Sequence, residues 1–178
     1  MKIVRIFDLN LLSFKYDDKS KDEFKLLFSL WNDVEYLECF FETNKKYLKD
    51  PFWKGISIEE AIEITLEEAQ LFEDILIELS GKDNIYEGLE KLFTPLLDTD
   101  IHEIELKKSK AKRKWLRLYA LKIEPNAYVV TGGAIKLTKT MQGGEDTRKE
   151  LRKIDQCRDF LKQTGSIDLE GICEAFGL

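Results

Sequence analysis

The spacing of apolar residues changes once along this chain, from a helical period in the first half to a period of two in the second. Between Phe24 and Leu79 apolar side chains recur every three or four residues, as in helices buried on one side. From residue 115 to residue 139 apolar and polar residues alternate, which is typical of strands. This order predicts an α+β fold: a helical N-terminal half, then a small antiparallel sheet and C-terminal helices.

Size and composition favour one domain over residues 1–178. The chain has 178 residues, of which 43% are apolar, enough to bury a core without crosslinks. The odd set Cys39, Cys157 and Cys173 has no CxxC spacing, which predicts reduced thiols, and the single histidine, His102, removes most metal ligand sets. Since no apolar run approaches a membrane span or a signal segment, we expect a cytoplasmic protein without membrane, metal or cofactor.

Local signals place the individual elements. Residues 2–7 and 11–16 are strand-like, and Asn32-Asp33 is a possible break between two helices. A helix over 58–80 has the clearest ends, because Ser57 and Glu60 form a capping box and Gly81 follows the last turn. Two further helices are predicted over 147–164 and 168–176.

A hairpin is predicted in the second half, with strands over 115–123 and 128–139 joined at Pro125-Asn126. A symmetric turn pairs Ile123 with Tyr128, and counting outward pairs Leu116 with Ile135, Arg117 with Ala134, and Tyr119 with Gly132. Alternation then puts the leucines on the core face. The residues expected on an open face are Trp115, Arg117, Tyr119 and Lys136.

Charge is distributed unevenly. Residues 1–100 carry 12 Lys and Arg against 23 Asp and Glu, whereas residues 101–178 carry 16 against 11. Residues 106–139 contain ten basic residues and one acid, Glu124, and the segment 107–114 is predicted to be a basic loop. A stripe of this kind attracts phosphate, although it could also be a solvated face that balances the acidic half.

Cations beside aromatic rings on an open sheet face suit single-stranded RNA, whose phosphates need charge and whose unstacked bases need flat partners. The segment Thr131-Gly132-Gly133 lacks the spacing of a phosphate-binding loop and lies inside a predicted strand. A bulge or close packing is the better interpretation of these glycines.

Residues 115–142, followed by the segment 146–161, resemble the C-terminal part of RelE/HigB-like toxins, including their phage-derived relatives. In that family a Leu-Arg strand with an aromatic residue leads through a turn to a strand with a basic end, and then to a Lys/Arg-rich helix. Leu116, Arg117 and Tyr119 stand in the first strand here, and residues 135–140 in the second. On this resemblance the sheet is of RelE-like type, residues 57–178 form the RelE-like region, and residues 1–56 are an N-terminal extension.

The resemblance implies the toxin of a type II toxin–antitoxin system. Such a protein is a metal-independent endoribonuclease that cleaves mRNA, often on the ribosome, and is neutralised by a co-encoded antitoxin protein. Arg117 would hold the scissile phosphate, Lys136 or Lys139 would supply a second cation, and Tyr119 would stack or assist proton transfer. The implied RNA-binding residues are Lys110, Lys112, Arg113, Lys114 and Trp115.

A second hypothesis belongs to another functional class. A non-catalytic module could keep the toxin-like sheet and use it to bind RNA or a protein partner. The acidic helical half would then be the functional surface or a cover for the basic face. Salt dependence separates phosphate binding from other modes, because phosphate contacts weaken steeply as salt rises.

Overall fold

The computed structural model describes residues 1–82, 87–96, 106–138 and 145–178, without the side chains of residues 145–147. His102 and Lys139 therefore lie outside the described residues. Within these ranges the strands are β1 (Lys2–Phe7), β2 (Leu11–Lys15), β3 (Thr94–Pro95), β4 (Lys107–Arg113), β5 (Leu116–Glu124) and β6 (Ala127–Ile135). The helices are α1 (Glu23–Trp31), α2 (Val34–Leu48), α3 (Ile58–Ser80), α4 (Glu145–Gln163) and α5 (Leu169–Phe176), with short 3-10 turns at Pro51–Trp53 and Leu89–Lys91.

One mixed sheet runs through the molecule in the order β1-β2-β6-β5-β4-β3. Strand β2 pairs in parallel with β6, with Leu11 beside Tyr128 and Ser13 beside Val130, and the other neighbours are antiparallel. The α+β class is confirmed, but the predicted order of helices first and then a small antiparallel sheet is wrong. The chain starts with two strands of the same six-stranded sheet. Strand β2 is buried, so its backbone N–H and C=O groups need hydrogen-bond partners, and β6 supplies them.

Both faces of the sheet are covered. On one face Leu116, Leu118 and Ile135 pack against α1, α2 and α3, as predicted for the core side of the hairpin. On the other face Tyr119 and Val129 pack against the C-terminal helices α4 and α5. The prediction of an open face is therefore wrong along most of the hairpin. The apolar stripe of an amphipathic helix has to be buried, and α4 buries its apolar stripe against the sheet face that carries Tyr119 and Val129.

Helix boundaries follow the local capping signals. Helix α1 ends at Trp31 and α2 begins after Asp33, whose side chain accepts from the Tyr36 amide, so the predicted break is confirmed. The capping box that starts α3 is also confirmed, since Ser57 Oγ accepts from Glu60 N and Glu60 Oε2 accepts from Ser57 N. Within the described ranges, no helix is long and apolar enough to cross a membrane.

The hairpin register is predicted correctly at its open end, where Leu116 pairs with Ile135, Arg117 with Ala134, and Tyr119 with Gly132. The pairing then shifts by one residue, so Lys122 rather than Ile123 lies opposite Tyr128. The bulge leaves Thr131 without a partner in the register, in agreement with a bulge near the two glycines.

Lys107–Arg113 form a strand, β4, rather than the loop predicted over 107–114, and Lys114 lies in the turn that follows. Strand β4 pairs along its whole length with β5, which places Lys112 beside Arg117 and Lys110 beside Tyr119. Ser109 and Ala111 are buried between exposed or half-buried basic residues, so the segment does alternate. The alternation is hard to recognise in the sequence, because the inward residues Ser109 and Ala111 are small and weakly apolar.

Candidate functional site

A cavity of about 510 Å³ lies beside the β4–β5 turn and the end of β6. Four of its described lining residues are cations, two are aromatic, and none is acidic. The described lining consists of Phe52, Trp53, Lys112, Lys114, Arg117, Lys136, Leu137 and Thr138. We call the set of Lys112, Lys114, Arg117 and Lys136 the cation cluster.

Strand pairing brings the cation cluster together. Lys112 and Arg117 are direct cross-strand neighbours on β4 and β5, and these strands are joined by a two-residue turn in which Lys114 adopts a φ of 45°. Lys136 follows β6 and donates its backbone N–H to Trp115 O at 2.8 Å, which continues the β5–β6 ladder by one residue. Like charges directly opposite each other destabilise a sheet, so this placement costs free energy in the absence of an anion.

The Arg117 guanidinium is oriented by backbone carbonyls at the same turn. Its Nη1 donates to Lys114 O at 2.7 Å and to Leu116 O at 2.8 Å. A guanidinium has five N–H donors, so three remain for a ligand after these two bonds. Burial also lowers the Arg117 pKa, yet an arginine of this kind stays protonated at neutral pH.

Lys136 lies in a positive environment. Partial burial lowers its pKa, and the charges of Arg117 and Lys110 lower it further. Lys110 thus belongs to the electrostatic surroundings of the cavity although it does not line it. A lysine whose pKa is lowered gives up its proton more readily than a solvated one.

Other cations of the basic stretch are neutralised by carboxylates of the helices and turns. Arg113 Nε lies 2.5 Å from Glu68 Oε2 on α3, and Lys108 Nζ lies 2.5 Å from Asp155 Oδ1 on α4. Lys122 pairs with Glu90. Arg113, which was predicted to bind RNA, is therefore held in an ion pair with Glu68 on α3. Among the described residues, no carboxylate forms an ion pair with any member of the cation cluster.

The expected aromatic partners lie elsewhere. Trp115 is fully buried in the helical core and donates from Nε1 to Thr65 Oγ1 at 3.0 Å, so the prediction that its ring lies on an open face is wrong. Tyr119 is 1% exposed, and burial raises its pKa to about 12. Its expected place on an open face is therefore also wrong, and the phenol stays protonated at neutral pH.

The cavity takes its aromatic wall from Phe52 and Trp53, in the short turn between α2 and α3. The sequence pattern does not predict these two aromatic residues as site residues, because they fall within the expected N-terminal extension, residues 1–56. The adjacent aromatic pair after Asp50-Pro51, between two predicted helices, was the available signal.

A second polar cluster is buried where α1 and α4 approach β2 and β6. Lys153 Nζ lies 2.5 Å from Glu23 Oε2 and 3.5 Å from Glu150 Oε1, so one ammonium group forms ion pairs with two carboxyl groups. Nearby, Tyr16 Oη and Cys157 Sγ are 3.0 Å apart. Burial raises the pKa of Cys157 to about 12 and also raises the pKa of Tyr16, so neither is a nucleophile at neutral pH.

The cation cluster therefore offers the chemistry of an anion site: an oriented guanidinium, three amines and an aromatic wall around one cavity. The assignment depends on these side chains alone, because no protein-family model, no curated protein and no solved structure matches this chain.

Proposed function

We propose that the protein binds RNA, with the phosphate backbone held by the cation cluster. One observation carries the proposal: Lys112, Lys114, Arg117 and Lys136 surround a single cavity with no acidic residue in its described lining. The neighbouring cations Lys108, Arg113 and Lys122 are neutralised within the protein, so simple balancing of the acidic half does not account for this cluster.

The energetics favour an anionic ligand. Burial is the main cause of the lowered pKa of Lys136, and repulsion by the Arg117 charge lowers it further, so these two cations destabilise each other. A bound phosphate would remove this repulsion and accept hydrogen bonds from the remaining Arg117 donors, which are stronger than bonds between neutral groups. A volume of about 510 Å³ also suits a nucleotide-sized group better than a lone inorganic ion.

Titration of a labelled, unstructured 12-nucleotide RNA, followed by fluorescence anisotropy, tests the proposal. We expect Arg117→Ala/Lys136→Ala to weaken binding by about 10-fold or more, since each lost charged hydrogen bond is worth ~1.5–3 kcal/mol. The control Lys45→Ala/Lys107→Ala removes the same charge from exposed positions outside the cavity. Four phosphate contacts would make the slope of log K against log[salt] about −3. Equal weakening by both double variants would contradict the proposal.

A second candidate is the endoribonuclease toxin suggested by the sequence resemblance. The lowered pKa of Lys136 beside Arg117 favours it, because RNA cleavage needs a group that exchanges a proton near a phosphate-binding cation. The ribose 2′-oxygen would lose its proton to Lys136 and bond to phosphorus. The bond from phosphorus to the 5′-oxygen would then break, leaving a 2′,3′-cyclic phosphate and a 5′-hydroxyl that takes up a proton. Arg117 would stabilise the phosphorane charge.

This activity would make mRNA the substrate, on or off the ribosome, and a co-encoded antitoxin protein the natural inhibitor. The test is induced expression of the wild type beside Lys136→Arg, with growth and new RNA ends recorded. Lys136→Arg keeps the charge but cannot exchange the proton at neutral pH. Arrest and cleavage lost in this variant, with RNA binding kept, would establish the ribonuclease. Binding without cleavage by the wild type would leave a non-catalytic RNA-binding module.

A further inference from the structure

We infer that Trp53 is a positioning residue that fixes Lys136 beside Arg117 in the cation cluster. The inference rests on the proposed function, in which Lys136 is one of the cations that bind phosphate. Strand β6 ends at Ile135, so Lys136 lies just beyond it. A side chain holds the peptide group that follows Lys136, because Trp53 Nε1 donates to Leu137 O at 2.8 Å.

The contacts around Lys136 form a closed loop. The backbone N–H of Lys136 donates to Trp115 O at 2.8 Å, and Trp53 holds the carbonyl of the next residue. The two indole rings also contact each other, with centroids 5.1 Å apart and planes at 71°. The backbone on both sides of the Lys136 side chain is therefore tied to one pair of tryptophans.

The Trp115 end of this loop also orients Arg117. Lys114 O and Leu116 O accept hydrogen bonds from Arg117 Nη1, and Trp115 O, between them in the chain, accepts from the Lys136 N–H. Three successive carbonyl groups of the β4–β5 turn thus hold the guanidinium of one cation and the backbone of the other. The contact between Trp53 and Leu137 O completes the arrangement on the side away from this turn.

Neighbouring residues set the direction of the Lys136 side chain. Ile135 and Leu137, on either side of it, are both buried in the core formed with α1, α2 and α3. Side chains alternate along extended backbone, so Lys136 lies on the opposite face, where it lines the cavity together with Arg117. Loss of the bond to Leu137 O would free this segment and leave the distance between the two cations less well fixed.

Trp53 is itself held in a rigid turn. Its backbone N–H donates to Asp50 O at 2.9 Å, and Asp50 Oδ1 accepts from Phe52 N at 2.8 Å. Pro51 occupies the first position of the 3-10 turn, where its fixed φ is favourable, and Lys54 ends the turn at a φ of 60°. A donor on such a turn loses little conformational entropy when it holds an acceptor.

A double-mutant cycle between Trp53→Phe and Lys136→Ala tests the inference, with inorganic polyphosphate as a probe that has charge without bases. Phenylalanine keeps an aromatic ring but has no N–H donor. We expect Trp53→Phe to weaken polyphosphate binding by about 2-fold to about 10-fold, the range of one hydrogen bond, because Lys136 must then be ordered by the ligand. In the Lys136→Ala background it should have no further effect. The control Trp31→Phe changes a buried tryptophan outside the cavity and should leave the affinity unchanged.

Two further measurements separate positioning from direct contact. Binding of a 12-nucleotide oligouridylate should weaken by the same factor as polyphosphate, since Trp53 acts through a cation. The Lys136 pKa can be followed by nuclear magnetic resonance with labelled lysine. Burial lowers this pKa, and the charges of Arg117 and Lys110 lower it further. We expect the pKa to rise toward its ordinary value in Trp53→Phe, as the ammonium group moves away from Arg117.

The outcomes distinguish this inference from the proposed function. Equal weakening by Trp53→Phe in both backgrounds would overturn the inference, because Trp53 would then act without Lys136. Weakening for oligouridylate alone would also overturn it, since Trp53 would then contact a base. An unchanged Lys136 pKa in Trp53→Phe would overturn it as well. In each of these cases, RNA binding that is lost in Arg117→Ala/Lys136→Ala would keep the proposed function. A wild type that binds neither probe would overturn both.

Discussion

Two adjacent glycines let helices approach strand β6 from its two faces. A Cβ on Gly133 would lie 2.5 Å from Arg117 O and 2.9 Å from a Leu27 methyl group on α1. A Cβ on Gly132 would lie 1.8 Å from Glu150 Oε2 on α4. The glycines are thus packing residues, and Gly133 in particular borders the backbone that carries Arg117.

Gly133→Ala should lower the free energy of unfolding by about 1–3 kcal/mol, because a backbone carbonyl and a buried leucine must both shift. Urea unfolding followed by circular dichroism measures this change. Gly81→Ala is the control, since a Cβ there would meet nothing closer than 3.7 Å. Equal stability of the two variants would contradict the close packing of α1 on β6.

Glu150 links stability to pH. Burial raises its pKa from 4.5 to about 7, and the Glu23 charge acts in the same direction, against the opposing effect of Lys153. The folded state then keeps a proton that the unfolded state releases above about pH 4.5, so stability falls as the pH rises from about 5 to about 7. The neighbouring Tyr16 and Cys157 stay neutral across this range.

Glu150→Gln should remove this dependence and increase stability at pH 8. The expected gain is on the order of 1–3 kcal/mol, since each pKa unit corresponds to about 1.4 kcal/mol. Thermal or urea unfolding at pH 5, 6, 7 and 8 provides the comparison. Parallel pH profiles for the two proteins would show that Glu150 is not the titrating group.

At the scale of the element, α3 shows how a helix start is specified locally. Ser57 Oγ lies 3.1 Å from Glu60 N, and Glu60 Oε2 lies 2.8 Å from Ser57 N. These contacts satisfy two backbone donors that the helix itself leaves unpaired. Helix α3 also holds Arg113 through Glu68 and Trp115 through Thr65, so it fixes one side of the β4–β5 turn.

Ser57→Ala should cost about 1 kcal/mol of stability, the usual effect of losing an N-cap side chain. Ser57→Asp keeps an acceptor at the same position and should retain most of it. Differential scanning calorimetry of the three proteins gives the comparison. RNA affinity should be unchanged in both variants, because Ser57 does not line the cavity. An unchanged melting temperature in Ser57→Ala would show that the Ser57 cap does not contribute to the free energy of unfolding.

At the scale of the whole molecule, the first strands are part of the central sheet. Leu11, Leu12 and Phe14 are fully buried, and β2 supplies the parallel partner of β6. Leu11 belongs to the core on the α1–α3 side, whereas Leu12 and Phe14 belong to the core on the α4–α5 side. The N-terminal residues therefore contribute to both layers.

Removal of residues 1–16 should abolish cooperative unfolding, because one edge of β6 loses its hydrogen-bond partner and both cores lose buried side chains. Thermal unfolding monitored by near-ultraviolet circular dichroism tests this expectation. Leu12→Asp in the full-length chain should have a similar effect by burying a charge at the same strand. A truncated protein with a sharp native transition would show that β1 and β2 are dispensable.

Prediction from the sequence succeeded where structure depends on neighbouring residues. The capping box at Ser57, the break after Trp31 and the turn at Pro125-Asn126 all involve contacts within a few positions. The left-handed φ of 63° at Asn126 suits the second central position of such a turn. Counting from the turn gives the correct partner for Arg117, because the register shift between Lys122 and Glu124 is offset by the bulge at Thr131.

The sequence by itself therefore determined the helices, the strands β1, β2, β5 and β6, and the pairing at the open end of one hairpin, because short-range hydrogen bonds and the hydrophobic period control these features. Only the tertiary structure decided that β2 pairs with β6, that α4 covers Tyr119, and that Arg113 is neutralised by Glu68. It also brought Phe52 to the cavity of Arg117. These contacts join residues far apart in the chain, and packing of whole elements, which no local pattern encodes, selects among the possible partners.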